Sequence, residues 1–400
     1  MSSVVAIKSR PGAPGRVGSP VAEIGLLQCA RVEPDQDAIQ AIQALGASPG
    51  EWARLVSLAS AHQVLPLVYW NLSRFHLGVP AGVMRTLRRG FEENVLGNLA
   101  LAAELREILA LFSSKNVPIV PFKGPICALS LYGALLLRAF GDLDVLVHPC
   151  DVTRAKELLL SMGYYVDQSR PHAPKHLVFV RGGHGPVIEL HRAFFEPSMA
   201  CHIDVPRLWN RLKEVDFCGI PTLSLHPEDQ ILILAIHGAN HGWPILKWVC
   251  DIAEFTRVHD DLDWEGVLRQ AGRAGCRRII LVGLAAAQKL LGTRMPAACT
   301  KAASDPLIDS LAEGVRARLF AEHAERLPGS QAVIPAADAH RALMNCRERP
   351  WDRMALLLCY VRDRLKPSRL IRLVQVYGWK SVVSTARMLL IALFRPSLQN

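Results

Sequence analysis

No run of eighteen uncharged apolar residues occurs in the 400-residue chain, so it offers no candidate for a membrane-spanning helix. There is no C-x-x-C pair either. The ten cysteines, at positions 29, 127, 150, 201, 218, 250, 276, 299, 346 and 359, stand scattered, which argues against a zinc ribbon or a disulfide framework. They read as the reduced thiols of a cytoplasmic protein. Met1 to Pro20 carries Lys8, Arg10, Arg16 and two Pro-Gly pairs but lacks the apolar core of a signal peptide. Residues 1–34 are expected to be a disordered lead-in. No internal repeat is visible.

Acidic residues are scarce at one end only. From Arg341 onward there are twelve Lys and Arg against Glu348, Asp352 and Asp363, so nine of the ten excess positive charges fall in the last sixty residues. The near-neutral body argues against a nucleic-acid partner.

Half of the residues are hydrophobic, enough for two or three domains with their own cores. Trp52, Leu55, Val56 and Ala59, then Leu101, Leu105, Ile108, Leu109 and Phe112, recur at helical spacing, so residues 35–112 read as an N-terminal helical region. Lys115-Asn116-Val117-Pro118 breaks it. In 113–205 the order is strand, helix, strand, helix, strand, strand: Ile119 to Phe122, a helix through Leu131, Asp142 to Val147, a helix Val152 to Met162 capped by Asp151, and a hairpin of 175–180 with 187–191. Helices at Pro227 to His241, Ile245 to His259 and Leu262 to Leu291 fill 206–326. A linker and basic amphipathic helices fill 327–400. The expected class is α+β, a small mixed sheet flanked by helical regions at both ends.

Chemistry concentrates at Phe140-Gly141-Asp142-Leu143-Asp144-Val145-Leu146-Val147. Carboxylates at i, i+2 on an apolar strand face the same way. Such a pair repels itself and resists desolvation, so it either holds a cation or is solvated at a strand end. Glu189, in the apolar run Val187-Ile188-Glu189-Leu190, would add a third carboxylate if the hairpin brings it alongside. Three acidic groups on adjacent strands suit two magnesium ions for phosphoryl transfer. The plain structural alternative has Asp142 capping the strand, Asp144 paired with Arg138 and Glu189 as an edge-strand charge.

Lys123-Gly124, Leu131-Tyr132-Gly133, Arg138, Asp142 to Val147, Gly163-Tyr164, Glu189-Leu190-His191, His237 to Trp243 and Leu246 to Ala253 together resemble the uncharacterised bacterial nucleotidyltransferase family of the polymerase β-like superfamily, over roughly residues 35–290. The resemblance implies a nucleotidyltransferase core that uses a nucleoside triphosphate such as ATP. It puts Lys123 and Gly124 at the phosphates, Asp142 and Asp144 as shared ligands of two Mg2+ ions, with Mn2+ an alternative, and Glu189 as the third metal-site carboxylate, positioning or deprotonating an acceptor hydroxyl. Lys123-Gly124-Pro125 departs from the superfamily's Gly-Ser turn, and Arg138 would supply part of the phosphate grip.

His237 and His241 have zinc-ligand spacing on a helix, but no glutamate stands where a zinc protease needs one. Packing of Trp243, Trp248 and Asp251 against the sheet is one reading of this segment. The other is a nucleotide- or acceptor-facing wall of His237, His241 and Trp243, joined by His191. Near the C-terminus, Trp379, Val382, Val383, Ala386, Leu389, Leu390, Leu393 and Phe394 lie at helical spacing. That helix would dock on the body or contact an anionic membrane peripherally, at its inner face. The expected activity is nucleotidyl transfer to the hydroxyl of an unidentified small-molecule or protein acceptor. The rival is a catalytically inactive nucleotide-binding or assembly protein of the same fold, acting as a membrane adaptor.

Overall fold

The apolar stripe Leu101, Leu105, Ile108, Leu109 and Phe112 is the buried face of one 34-residue helix, Ala81–Ser114. In the computed structural model, which describes residues 21–75, 78–169, 175–182, 185–195, 201–321 and 336–364, this is the fifth helix, α5. It follows α1 (Val21–Cys29), α2 (Gln36–Gln43), α3 (Pro49–Ala61) and α4 (Leu65–Phe75). Trp52, Leu55 and Ala59 are buried on α3 as their spacing predicts. Asn116, at φ +52°, turns the chain after α5 into the sheet.

The strands are short and interleaved with helices: β1 (Ile119–Pro121), α6 (Pro125–Tyr132), β2 (Leu143–Val147), α7 (Val152–Ser161), β3 (Tyr165–Val166), β4 (His176–Val180) and β5 (Val187–His191). They form one mixed sheet in the order β1-β2-β5-β4-β3. Only β2 and β5 are parallel, with Asp144 beside Glu189 and Leu146 beside His191. In the antiparallel β4/β5 ladder His176 faces His191 and Val178 faces Glu189. Alternation does the rest: Leu143, Val145, Val147, Ile188 and Leu190 point into the main core, whereas Asp144, Glu189, His191 and His176 share the other face. Further along that face Val120, Phe122 and Leu146 join Phe194, Leu208, Leu225 and Ile233 in a second apolar cluster. The polar face is thus open at one end and plugged at the other. The fold is α+β, as expected.

Two expectations need correction. Asp151 does not cap α7 with its side chain; it belongs to a 3-10 turn, Pro149–Asp151, whose N-cap is His148. The stretch after Pro206 is not all helical. Behind the short α8 (Val205–Trp209) runs a hairpin of β6 (Lys213–Phe217) and β7 (Ile220–Ser224). Its two-residue turn, Cys218 (φ +52°) and Gly219 (φ +83°), has the positive φ angles a tight hairpin requires.

Then come α9 (Pro227–Asn240), α10 (Leu246–Val258), α11 (Trp264–Ala274) and α12 (Arg277–Leu291), followed by α13 (Ala297–Ala303), α14 (Pro306–Leu319), α15 (Ala336–Cys346) and α16 (Pro350–Arg364). Part of the C-terminal positive charge is internal glue. Arg347 is fully buried and bonds Asp352 at 3.2 Å, Arg349 donates to the Gly272 and Arg273 carbonyls, and Arg353 donates to the Arg347 carbonyl. None of the ten cysteines forms a disulfide. Among the described residues no helix is long and apolar enough to cross a membrane. Of the lead-in expected over 1–34, residues 21–29 are instead the helix α1, its Leu26 and Cys29 buried in the core; residues 1–20, the linker 327–335 and the Trp379 to Phe394 stripe lie outside the described residues.

Candidate active site

β1 delivers Lys123 and Gly124 to the start of β2. The Phe122 N–H donates to the Asp144 carbonyl at 3.2 Å. Gly124, at φ +55°, lies so close that a Cβ there would stand 3.1 Å from the Asp142 carbonyl oxygen, which a side chain tolerates poorly. The same glycine opens α6, with Pro125 in its first turn, so free backbone N–H groups at that helix end lie beside the aspartates.

On the polar face, Lys123 Nζ bonds Asp144 Oδ1 at 3.2 Å. His191 Nε2 lies 3.0 Å from the same oxygen and 3.2 Å from Glu189 Oε2. Asp144 thus pairs with Lys123 and His191, and not with Arg138. Burial works to raise the Asp144 carboxyl, but Lys123 and His191 outweigh it and hold the group well below the usual range. Glu189 is also held low, burial being overcome chiefly by His191. Burial lowers His191 less than its hydrogen bonds to the two carboxylates raise it. Asp142 differs: among the described residues its carboxylate makes no hydrogen bond or ion pair, and burial, then Asp144, push it up to about 6. On this face the clustered ligand atoms are not the three carboxylates but those of His176, Glu189 and His191, within 4.8 Å of one another.

Helices α9 and α10 form the opposite wall. His237, His241 and Trp248 stack as a trio with ring centroids 4.9 to 5.1 Å apart. Burial, then Lys123, keeps His237 neutral by lowering it well below the ordinary value. Neither histidine belongs to a group of three or more metal-ligand atoms among the described residues. Trp243 does not line this wall. It is buried at φ +58°, and its ring fills the space where Cβ atoms of Gly238 and Gly283 would otherwise stand. Trp248 takes the aromatic place expected of Trp243.

Arg138 also differs from expectation. Its Nε and Nη2 bond Asp251 Oδ1 and Oδ2 at 2.7 and 2.8 Å, and Tyr132 Oη donates to Oδ1 at 2.8 Å. Asn98 on α5 donates to the Leu135 and Arg138 carbonyls at 2.6 and 2.9 Å. This buried knot pins the loop leading to Asp142 between α5, α6 and α10. Lys247, one turn before Asp251, donates to Gln63 Oε1 and to the Ala139 carbonyl. Burial, then Arg138, brings its pKa down to about 8.

All of the site residues expected from the sequence except His191 and Trp243 open on one cavity of about 790 Å3. Its wall also includes His176, Lys175, Lys247, Trp248 and His340, none of them singled out as site residues from the sequence. His176 had a signal: once the hairpin is drawn, it faces His191. A family model described as uncharacterised nucleotidyltransferase matches residues 48–292. The chain belongs to this family. No curated protein and no solved structure matches it significantly. As a nucleotidyltransferase it is a transferase of phosphorus-containing groups. The matched span holds the whole polar sheet face and the α9–α10 wall of the nucleotidyltransferase, but ends before α15, whose Ala339, His340 and Leu343 also line the cavity.

Proposed function

We propose that this nucleotidyltransferase moves a nucleoside monophosphate from a nucleoside triphosphate to an acceptor hydroxyl, with a divalent cation, Mg2+ in the first instance. The acceptor oxygen bonds to the α-phosphorus as the bond to the β-phosphate oxygen breaks, the hydroxyl proton passes to solvent, and pyrophosphate leaves. One observation carries the reading: Asp144 and Glu189, neighbours across β2 and β5, and Asp142, in the bend just before β2, line one cavity that also contains Lys123 and Gly124. Asp142, unpartnered among the described residues and raised to about 6 beside a second carboxylate, fits a cation, which relieves that repulsion at neutral pH where the carboxyl is ionised. Asp142 and Asp144 would hold it, and when bound it neutralises phosphate charge and orients the in-line displacement.

The protein's own groups do the remaining work. Lys123 and the first free N–H groups of α6 anchor the phosphates. Glu189, kept low by His191, orients the acceptor and is a poor proton acceptor. His237, His241 and Trp248 give the base or sugar a stacking wall. Arg138 acts indirectly, by holding the Asp142 loop through Asp251. A cavity of about 790 Å3 suits a nucleotide with a small acceptor or one protein side chain.

Titrating Mg2+ and labelled nucleoside triphosphates into wild type and Asp144→Asn tests the proposal. Metal-dependent binding in the wild type alone, with pyrophosphate released when cell extract supplies the acceptor, is expected. Equal binding with and without metal in both proteins would sink it.

A peripheral membrane contact is a second reading, favoured by α16. Trp351 is 82% exposed, with Met354 and Leu358 exposed at i+3 and i+7, and residues 365–400 contain six Lys and Arg and no acidic residue. An exposed apolar stripe beside cationic chain suits an anionic lipid surface.

A further inference from the structure

The donors closest together on the polar face are nitrogen and oxygen in equal number. His176 and His191 are register partners across β4 and β5, Glu189 precedes His191 by two on the same strand, and Asp144 neighbours Glu189 on β2. His191 Nε2 is 3.0 Å from Asp144 Oδ1 and 3.2 Å from Glu189 Oε2, and His176 Nε2 is 3.8 Å from Glu189 Oε2. Metal–nitrogen and metal–oxygen bonds of ~2.0–2.2 Å put neighbouring ligand atoms ~3.0–3.5 Å apart. The two His191 contacts, which are hydrogen bonds to the carboxylates, fall in that range and the His176–Glu189 contact lies just beyond it, so these strands hold the donors close to the edges of a coordination polyhedron that an ion replacing the His191 Nε2 proton would complete.

Their surroundings favour ligation over surface exposure. The His191 side chain is 2% exposed and that of His176 12%. His191 Nδ1 lies 3.4 Å from the Ala193 carbonyl, the outer contact that fixes a ligating imidazole with its other nitrogen inward. His176 Nδ1 is buried without a hydrogen-bond partner among the described residues, so no structural hydrogen bond through that nitrogen accounts for the ring's position. Mg2+ takes oxygen ligands and keeps its waters, whereas imidazole suits Zn2+, Co2+ and Fe2+.

We propose that His176, Glu189 and His191, with Asp144 at the edge, form a binding position for a first-row transition-metal ion. It is chemically distinct from the all-oxygen position between Asp142 and Asp144. In its place in the catalytic cavity the proposal rests on the nucleotidyltransferase reading; its donor set stands independently.

Co2+ added to the full-length chain is the test, read by visible d–d absorbance. The chain carries Cys150→Ser, because His148, Cys150 and Asp151 make a second cluster of ligand atoms in the turn after β2. The expected result is a one-to-one visible band that survives a hundredfold excess of Mg2+. Both His176→Ala and His176→Gln should weaken Co2+ binding by more than the ~10–100-fold lost with an outer-shell partner, with circular dichroism unchanged. Asp142→Asn should keep the band. Absence of a band, displacement by equimolar Mg2+, or an unchanged affinity in both folded His176 variants would overturn the proposal. Mg2+-dependent nucleotide binding would be untouched by that failure. Conversely, a cobalt band in a protein that binds no nucleotide would overturn the nucleotidyl-transfer reading alone.

Discussion

Removing Asp251 should unfold the site before it alters any chemistry. Asp251 and Arg138 are 2% and 4% exposed and joined by two hydrogen bonds, so Asp251→Ala leaves a guanidinium charged and unpaired in the interior. Breaking such a pair from one side costs ~3–5 kcal/mol. The Tyr132 hydroxyl loses its acceptor as well, about 1 kcal/mol more. Arg138→Met should cost less, because Asp251 keeps Tyr132 Oη at 2.8 Å and Lys247 nearby. The double variant Arg138→Met/Asp251→Leu replaces both charges with apolar groups and should recover most of the loss. Urea unfolding at pH 7 measures all three, with equal m-values required so that midpoints report stability. A cost below about 1 kcal/mol for Asp251→Ala, or a double variant as unstable as the sum of the singles, would refute the buried-pair argument. Nucleotide affinity then separates the two roles considered for Arg138. A folded double variant that binds nucleotide within a few-fold of wild type makes Arg138 a positioning residue, and one that does not makes it a phosphate ligand.

Asp142→Asn should stabilise the metal-free protein by ~1–3 kcal/mol at pH 7 and abolish stabilisation by added metal, both read from thermal melts. The sign follows from a folded pKa of about 6 against 3.8: wild-type stability falls as pH rises between those values, and the variant should lack that slope. Lys247 is the opposite case, lowered from 10.5 to about 8, so the unfolded chain holds the extra proton in that window and stability rises with pH through it. Lys247→Met should therefore be ~1–3 kcal/mol more stable than wild type at pH 7, with the gap closing by pH 10.5; a constant gap would refute the desolvation argument. Lys123→Met should weaken nucleoside triphosphate binding ~10–100-fold by equilibrium dialysis, the worth of a charge-assisted hydrogen bond. Trp351→Glu/Leu358→Glu should release the chain from vesicles of phosphatidylglycerol and phosphatidylcholine in co-sedimentation; unchanged partition would remove the membrane reading.

Much of this fold was legible because its signals are local. An apolar strand interrupted only by Asp142 and Asp144, a His-Pro stop and two helical stripes need no partner to be recognised. Glu189 was found because the hairpin that delivers it has turn residues on both sides. What escaped the sequence shares a cause. Arg138 lines the cavity but also pairs with a carboxylate 113 positions away, and nothing near it in the chain announces that ion pair. Trp243 points inward because its backbone is left-handed and Gly238 and Gly283 leave room for the ring, a matter of tertiary packing. The β6/β7 hairpin was hidden by Cys218, which stands at a positive-φ turn position where asparagine or aspartate is the usual marker. His176 required the register, since its meaning lies wholly in the residue opposite.

The three carboxylates at this end of the sheet are not equally paired. Lys123 and His191 converge on a single oxygen, Asp144 Oδ1, so the most buried carboxylate is neutralised twice while Asp142 is left to bear the repulsion. Asp142 and Asp144 would hold a cation, and Lys123 already shares Asp144 with His191. Lys123 also stands beside Gly124 and the start of α6, where the phosphates are proposed to lie. On the proposed reading, metal and triphosphate binding would be coupled through this one side chain, since Asp144 and the phosphates would both draw on its charge. Proline removes one N–H from the helix end, and the neighbouring lysine would supply a donor in its stead.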